Sequence, residues 1–440
     1  MKIIVIGAGL AGLSSALMAA EAGHRVSIVT RGLGGLGLST GTLDVYGWRA
    51  NGLPADDPYG EIDAVVAAQP EHPYGAIGVE NVRRGVDWLR ETTGLFGENT
   101  GKNVLMPTAI GAIRPTAVVQ KTMLPAVVEE GKKFLVVGIK QFRDFPAALI
   151  ADNLARSPLV SVSARATTIS LAPRSPEVDS TGTTFARALD GADGLDGPAT
   201  RDALVQALRG EVRDGETVLL PAILGFSAEA YDEIAAELGA PVGEVPVPPP
   251  SIPGRRINDA LTNAARAKRI DISLNAQVVG FETGDGEGRG SETGDGVPAI
   301  TALKVQRAGR VTTEKVDAVI YAGGGLESGT IERDSYGTIR ERVFDLPLMF
   351  LPPEDPESKS VTGEAVVDGV DIFGCGVKVN DDMLALNGST PVFTNLHCVG
   401  SLLGGARPWS EKSGEGIALG SAVAAVAAIS ANAQKVKEER

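Results

Sequence analysis

The sequence predicts an α/β protein with a second α/β domain inserted into the first, and three observations support this. The chain has 440 residues, which is too long for a single hydrophobic core. Its 55 glycines suit tight turns and close packing of helices on a sheet. Within the first 30 residues, an apolar strand, a glycine turn, an alanine-rich helix and a second strand follow one another.

Charge and cysteine content narrow the function classes. A net charge of −14 lacks the basic footprint that nucleic acids or anionic membrane surfaces require. The two cysteines, Cys375 and Cys398, form no C-x-x-C pair, so the sequence predicts neither a metal or iron–sulfur site nor a disulfide framework. We expect a soluble protein of a reducing compartment, with Gly416–Ala431 forming a buried helix rather than a membrane span.

The first elements carry the most specific motif. Strand Ile3–Ile6 leads into the turn GAGLAG (7–12), a helix, and a second strand at Arg25–Val29. This is the G-x-G-x-x-G fingerprint in its required context, at the end of a strand and the start of a helix. It predicts a nucleotide site in a Rossmann-like FAD/NAD(P)-binding flavoprotein fold. The alternative is a glycine-rich turn in an α/β domain that binds no ligand.

Each glycine of the turn has an expected role. Gly7 makes the tight turn, Gly9 lets a pyrophosphate approach the backbone, and Gly12 lets the helix pack on the strand. The first helical N–H groups, at Leu10 and Ala11, would bind phosphate.

The end of the second strand leaves the cofactor open. An acidic residue there would accept hydrogen bonds from a ribose, but the chain has Thr30, Arg31 and Gly32. FMN has no adenosine ribose to hold, FAD could be held elsewhere, and an arginine could bind the 2′-phosphate of NADP. The next segment favours a flavin, because its glycine- and Ser/Thr-rich loop, including Ser39, Thr40 and Gly41, could lay backbone N–H groups along a ring system.

Later segments define the domains. Helix and strand patterns between residues 111 and 255 predict an inserted substrate-facing domain, with 1–110 and 256–440 forming the nucleotide-binding domain. A buried strand ends in a glycine run in which Gly323 and Gly324 would allow close backbone approach. Arg255 and Arg256 precede a predicted helix at Ile257–Leu261, a position that suggests an anionic ligand. The acidic ETGDG repeat is predicted to be a solvated hairpin insertion.

The combined motifs resemble the flavoprotein B subunit of the anaerobic glycerol-3-phosphate dehydrogenases. The resemblance covers nearly the whole chain and includes the Thr30-Arg31 pair. Its segments are GAGLAGL, SIVTRG, STGTLDVYG, HPYG, VVGIKQFRDF, LLPAILG, PPSIPGRR, AGGGLESG and NLHCVGSLLGG.

The resemblance implies a flavin subunit of a respiratory enzyme that oxidises sn-glycerol 3-phosphate to dihydroxyacetone phosphate. The implied cofactor is FMN, with FAD as the alternative. The implied partners are a larger FAD-containing subunit and an iron–sulfur subunit, through which electrons reach quinone and then fumarate or nitrate. The implied location is cytoplasmic, peripheral on the inner face of the cell membrane through one of these partners.

The resemblance also assigns residues. Gly400 and Ser401 would lie by the ribityl phosphate, and a helix starting near Gly416 and Ile417 would direct its N–H groups at the flavin, although Glu415 departs from the family there. Arg256 aligns with an arginine of the family and would bind substrate or flavin phosphate.

The histidines offer little acid–base chemistry. His72 is the one weak catalytic candidate, because His24 is predicted to lie in a solvated loop and His397 in the core. Two other functions stay open, namely a stand-alone FAD-dependent dehydrogenase or oxidase of another small substrate, and a flavin-free scaffold protein.

Overall fold

The helices and strands alternate as an α/β fold in the computed structural model, which describes residues 1–174, 177–284, 296–351, 366–367 and 370–438. The helices are α1 (Leu10–Glu21), α2 (Glu61–Ala68), α3 (Tyr74–Ile77), α4 (Val79–Thr93), α5 (Ala147–Ala155), α6 (Gly182–Leu189), α7 (Gly197–Arg209), α8 (Ala228–Leu238), α9 (Ile252–Ala267), α10 (Pro408–Glu411) and α11 (Gly414–Glu438). The strands are β1 (Lys2–Ile6), β2 (Arg25–Val29), β3 (Val104–Pro107), β4 (Ile113–Thr116), β5 (Lys133–Ile139), β6 (Ser163–Ile169), β7 (Glu216–Pro221), β8 (Val242–Val245), β9 (Asp271–Ser273), β10 (Ala276–Gly284), β11 (Ala299–Arg307), β12 (Arg310–Lys315), β13 (Ala318–Tyr321), β14 (Ile331–Arg333), β15 (Ile339–Glu341), β16 (Leu348–Leu351), β17 (Val366–Val367), β18 (Val370–Val377), β19 (Leu386–Asn387), β20 (Thr390–Pro391) and β21 (Leu396–Cys398).

The chain divides into two units. The first contains Met1–Gly35, Pro58–Thr92 and Leu261–Arg440, and the second contains Leu36–Asp57 and Thr93–Ala260. Compared with the division predicted from the sequence, residues 36–57, 93–110 and 256–260 therefore lie with the second unit.

A parallel sheet organises the first unit, with strand order β21-β13-β1-β2-β9. Because β1 lies at its centre and is covered on both faces, its residues from Ile3 onward are almost completely buried. Ile3 pairs with Ala318 of β13 on one side and with Val26 of β2 on the other. This arrangement confirms the predicted α/β fold class.

Helix α11 packs against α1 beside this sheet. Its Gly414–Val436 stretch is the one candidate membrane span among the described residues, by length and composition only, and 72% of its apolar window is buried inside the protein. Gly85 of α4 also approaches α11 closely, since a Cβ there would lie 2.8 Å from the Leu419 carbonyl oxygen. The burial is that of a core helix, as the sequence predicts.

The second unit has its own parallel sheet, with strand order β6-β5-β7-β8. The apolar run KFLVVGI forms β5, whose residues from Phe134 onward are buried. Helix α5 follows, but it begins only at Ala147 because Pro146 precedes it and lacks an N–H. Strand β7 contains the apolar residues after Thr217 and ends at Pro221.

Strands β10 and β11 pair as the predicted antiparallel hairpin, whereas the ETGDG insertion falls mostly on residues 285–295, outside the described residues. Cys375 and Cys398 are both buried.

Candidate functional site

The glycine turn after β1 combines two crowded positions with one open position. A Cβ on Gly7 would lie 2.2 Å from the Ala322 carbonyl oxygen, and Gly7 has a φ of +106°. A Cβ on Gly12 would lie 2.1 Å from the Gly7 carbonyl oxygen. A Cβ on Gly9 would meet no protein atom within 4 Å. Packing therefore requires glycine at positions 7 and 12, whereas position 9 faces space that a ligand could enter.

Helix α1 begins at this open position without a side-chain cap. Gly9 is its N-cap, and the first intrahelical bond runs from Leu13 N to Gly9 O at 3.0 Å. The N–H groups of Leu10 and Ala11 therefore have no partner within the helix, and its first turn contains no acidic residue. An uncapped helix start beside an open glycine fits the phosphate of a nucleotide cofactor.

The residues after β2 bind protein groups. Thr30 Oγ1 donates to the Gly32 carbonyl oxygen at 2.6 Å and accepts from Gly32 N at 3.3 Å. Arg31 Nη2 donates to the Ser328 carbonyl oxygen at 2.9 Å. Thr30 thus shapes the turn that contains Gly32, and Arg31 connects the loop after β2 to the loop after β13.

The loop after β13 is held by hydroxyl groups. Ser328 Oγ and Thr330 Oγ1 donate to the Gly323 carbonyl oxygen at 2.8 and 2.6 Å. Gly324 has a φ of +80°, which glycine adopts without strain. The structure thus shows a rigid loop at the carboxyl end of β13, while the predicted contact of Gly323 and Gly324 with a cofactor stays a prediction.

Glu327, in this loop, is a residue that the sequence analysis missed. It is exposed, and its Oε1 accepts from Gly325 N at 3.2 Å and from Ser401 Oγ at 3.0 Å. Glu327 supplies a carboxylate near the carboxyl edge of the sheet, whereas no acidic residue follows the end of β2. The segment AGGGLESG contains it, but only the contact with Ser401, 74 residues later, places it there.

The turn after β21 lies beside the start of α1. Gly400 has a φ of +74°, and a Cβ there would lie 2.8 Å from Ala11 Cβ. Gly400 N donates to Ser421 Oγ of α11 at 3.0 Å. The structure therefore brings Ala11, Gly400 and Ser401 to the same edge as Gly325, around the open glycine turn.

The comparisons with known proteins identify the family. The family model for an FAD binding domain matches residues 2–417. A Halobacterium salinarum protein, named as a probable B subunit of anaerobic glycerol-3-phosphate dehydrogenase, is 30% identical over 434 residues, which cover 96% of each chain. The chain belongs to this B-subunit family. It is a flavoprotein and an oxidoreductase.

Another relative and a solved structure also match along most of their length. The B-subunit protein of Aliivibrio fischeri is 27% identical over 436 residues, covering 95% of this chain and 92% of that protein. Among solved structures, the chain is similar to 3-ketosteroid delta1-dehydrogenase from Sterolibacterium denitrificans, with 12% identity, a TM-score of 0.46, and coverage of 98% and 99% of the two chains.

In this member of the B-subunit family, Gly416 and Ile417 lie in the first turn of α11. Ile417 N donates to the Ser413 carbonyl oxygen at 3.0 Å, which starts the helix. The same oxygen accepts from the Tyr74 hydroxyl at 3.3 Å, and Ser413 Oγ donates to Glu411 at 3.0 Å. The position of the helix start is therefore fixed by Tyr74 and Glu411.

His72 belongs to this cluster and does not have a free nitrogen. Its side chain is completely buried. Nδ1 accepts from Tyr74 N at 3.2 Å, so Nε2 carries the proton and donates to Glu411 Oε2 at 3.2 Å. The geometry does not support the predicted acid–base role of His72, because both ring nitrogens bind protein groups.

Glu411 is ionised in this arrangement. Burial raises the pKa of its carboxyl, but hydrogen bonds from His72, Arg407 N and Ser413 more than offset this and hold the pKa below its ordinary value. The cluster is therefore an anchor for α11.

The other two histidines are also bound. His397 is buried, and its Nδ1 lies 2.7 Å from the Asp382 carbonyl oxygen, so the predicted core position is confirmed. Burial lowers the pKa of His397 despite that contact. His24 lies in the loop before β2, as predicted, but it is half-buried and its Nε2 lies 3.0 Å from Ser430 Oγ of α11.

In the second unit, Arg256 has no donor left for a phosphate. Its Nη1 and Nη2 bind the two carboxylate oxygens of Glu244, at 2.5 and 3.0 Å, and Nε and Nη2 donate to the Gly225 carbonyl oxygen. Nη1 also donates to Thr122 Oγ1 at 3.2 Å. The side chains of Arg256 and Glu244 are 2% and 0% exposed. The prediction that Arg256 binds a substrate phosphate is not supported by this geometry, because a buried carboxylate already neutralises the guanidinium.

Arg256 also lies inside a helix. Helix α9 begins at Ile252 rather than at the predicted Ile257, with Ser251 Oγ accepting from Gly254 N at 2.9 Å. The neighbouring Arg255 forms an exposed pair with Asp259 at 2.7 Å. The argument from a cation before a helix start therefore does not apply to either arginine.

Proposed function

We propose that this chain is the flavin-carrying subunit of a respiratory glycerol-3-phosphate dehydrogenase, which oxidises sn-glycerol 3-phosphate to dihydroxyacetone phosphate and passes the electrons towards quinone. The observation that carries the proposal is the 30% identity to a protein of that name over 96% of both chains. A match of this extent includes both units, so it is more than a shared nucleotide motif.

The residues of the first unit support the binding half of this role. The open position at Gly9 and the uncapped start of α1 would hold the phosphate end of the cofactor. Leu10, Ala11, Gly400 and Ser401 would complete that contact. A bound flavin supplies two-electron redox chemistry.

The proposed cofactor is FMN. Thr30 and Arg31 are engaged with Gly32 and Ser328, and β2 ends without a carboxylate for an adenosine ribose. FAD is the alternative, and Glu327 is then the residue that would bind the ribose hydroxyls, because its carboxylate is exposed near the same edge.

The proposed partners are a larger FAD-containing subunit and an iron–sulfur subunit of the same complex, as expected for a protein whose relative is named as one subunit of a dehydrogenase. The two buried cysteines support the proposal that any iron–sulfur relay lies in a partner. We further propose a cytoplasmic location, peripheral on the inner membrane face through that partner.

The test is to purify the chain both alone and co-expressed with its two proposed partners. Mass analysis of the cofactor released from the chain alone should give FMN. Glycerol 3-phosphate should bleach the flavin absorbance of the complex and reduce a quinone analogue. Colourless protein that takes up neither FMN nor FAD would contradict the proposal, and FAD alone would correct the cofactor.

A further inference from the structure

The side chain of Arg31 crosses the carboxyl end of β1. Its Nη2 donates to the Ser328 carbonyl oxygen at 2.9 Å, in the loop after β13. Strand β1 lies between β2 and β13 in the sheet of the first unit. Because Arg31 follows β2 and Ser328 follows β13, the side chain that joins them passes the end of β1, where the glycine turn begins.

The segment that follows Arg31 lies on the same glycine turn. Gly34 has a φ of +74°, and a Cβ there would lie 2.5 Å from Gly9 Cα and 2.8 Å from the Ala8 carbonyl oxygen. All four residues belong to the first unit. Arg31 is therefore placed beside the open position at Gly9 from two sides, by its own side chain and by the backbone three residues later.

The rest of this loop belongs to the second unit. Thr40 Oγ1 accepts from Arg114 Nη2 at 3.1 Å, and the Gly41 carbonyl oxygen accepts from Gln120 Nε2 at 3.1 Å. The predicted flavin contacts of Ser39, Thr40 and Gly41 therefore stay predictions.

Residues of the first unit also enclose the other side of the glycine turn. Glu327, the residue before Ser328, accepts from Ser401 Oγ at 3.0 Å, and Gly400 approaches Ala11 at the start of α1. The open position of the turn therefore lies between the loop that contains Arg31 and the turn after β21.

The guanidinium of Arg31 has donors that the protein does not use. It is exposed, and one of its five N–H groups binds Ser328. Arg31 forms no ion pair with any residue that the structure describes. It therefore differs from Arg256, whose charge is neutralised by the buried carboxylate of Glu244.

A terminal phosphate requires such a charge. The phosphate monoester of FMN carries about −1.5 to −2 charges at pH 7. The start of a helix supplies the equivalent of only about +0.5. The start of α1 thus leaves at least about one negative charge without compensation, and a guanidinium supplies one positive charge. In FAD each phosphate belongs to a diphosphate linkage and has a single negative charge, so FAD gains less from the same arginine.

We propose that Arg31 binds the terminal phosphate of FMN and makes this site select FMN over FAD. The inference deepens the proposed function and rests on it. Ser328 orients the guanidinium through one N–H, and the other donors bind phosphate oxygens. Because Glu327 brings a carboxylate to the same edge, the arginine also offsets the repulsion between that carboxylate and the phosphate.

The test measures dissociation constants of FMN and riboflavin for the flavin-free full chain, because riboflavin has the same ring system and lacks the phosphate. Arg31→Gln should raise the dissociation constant for FMN about tenfold or more, since it removes charged hydrogen bonds. It should change the value for riboflavin less than about twofold. The preference for FMN over FAD should fall in the same variant.

Arg342→Gln is the matched control. Arg342 is also an arginine that donates to a carbonyl oxygen of the loop after β13, that of Gly329 at 3.4 Å, but it is paired with Glu332 at 3.1 Å. This variant should change both dissociation constants less than about twofold. Melting temperatures of the two flavin-free variants should equal that of the unaltered protein within error, because both arginines lie at the surface.

The outcomes separate this inference from the function itself. Unchanged FMN affinity in Arg31→Gln, or an equal loss of FMN and riboflavin affinity, would overturn the role of Arg31. If the unaltered protein takes up FAD but not FMN, the selection of FMN is refuted while the flavin function stands. If the unaltered protein binds no flavin, the proposed function itself fails.

Discussion

The carboxyl ends of the two parallel sheets differ in what covers them. Around β1 the chain continues as glycines, and Gly9 faces open space at the start of an uncapped helix. In the second sheet the chain continues from β7 to Gly225, and β8 contains Glu244. Arg256 binds both inside the protein. One edge exposes backbone N–H groups to a ligand, whereas the other has its charges paired and buried.

The difference shows that a cation near a sheet edge is not by itself a phosphate site. Phosphate binding depends on whether the polar groups already bind protein partners. If a ligand displaced one member of a buried ion pair, the other charge would stay buried without a partner. The first edge therefore has backbone groups that a ligand could bind, whereas the charged groups of the second edge stabilise the fold. The following predictions, from the largest expected effect to the smallest, test this contrast.

Arg256→Ala should lower the free energy of unfolding by about 3–5 kcal/mol, because it leaves Glu244 charged and buried without a partner. Arg255→Ala, next to it on α9, should cost at most ~1 kcal/mol, because its pair with Asp259 is exposed. Urea unfolding of both variants measures the difference. Equal losses would mean that the second edge is not held by this pair.

Gly7→Ala and Gly9→Ala should separate packing from binding. Gly7→Ala should destabilise the protein by at least ~2 kcal/mol, because its φ is positive and the new Cβ meets the Ala322 carbonyl oxygen. Gly9→Ala should change stability by less than ~1 kcal/mol, since no protein atom lies near its Cβ. It should nevertheless weaken flavin binding about tenfold or more, as titration of the flavin-free protein would measure. Unchanged flavin affinity in Gly9→Ala would argue against a ligand at the open edge.

Glu411→Gln should change how stability depends on pH. The pKa of Glu411 is lowered in the folded state, so its contribution is present above the glutamate pKa of the unfolded chain, about 4.3, and is lost as the pH falls through the folded value. The unaltered protein should therefore lose more stability than Glu411→Gln on acidification below about pH 5. If stability falls equally with decreasing pH in the two proteins, the buried His72–Glu411 pair does not contribute to the pH dependence of stability.

Glu327→Gln should have the smallest effect. If the cofactor is FMN, the loss of this exposed carboxylate should alter flavin affinity less than about twofold, because Gln keeps the oxygen that binds Gly325 N and Ser401. A loss of affinity for FAD, with none for FMN, would instead place the carboxylate on an adenosine ribose.

The sequence predicted correctly those features that depend on residues close together in the chain. The strand, turn and helix around Gly7, Gly9 and Gly12 were predictable because each step depends on neighbours a few residues away. The start of α9 was also signalled locally, by Ser251 as cap and Pro253 in the first turn, although the prediction placed it at Ile257.

The errors concern contacts between distant residues. Nothing in the sequence pairs Arg256 with Gln120, 136 residues earlier, or Arg114 with Asp44, 70 residues earlier. An arginine that is buried with its carboxylate partner stabilises the fold and is not available to bind a ligand. This burial depends on how the strands assemble into the sheet, which the local sequence does not show. Glu327 was missed for the same reason, since it needs Ser401 to place it.

The order of strands in the first sheet has a consequence for biosynthesis. Strand β1 is made first but lies between β2 and β13, and Lys2 N binds Asp317, 315 residues later. A ribosome must therefore produce most of the polypeptide before this strand acquires its second neighbour. Until then an apolar segment stays unpaired on one side, so chaperone binding to the nascent chain would protect it from aggregation.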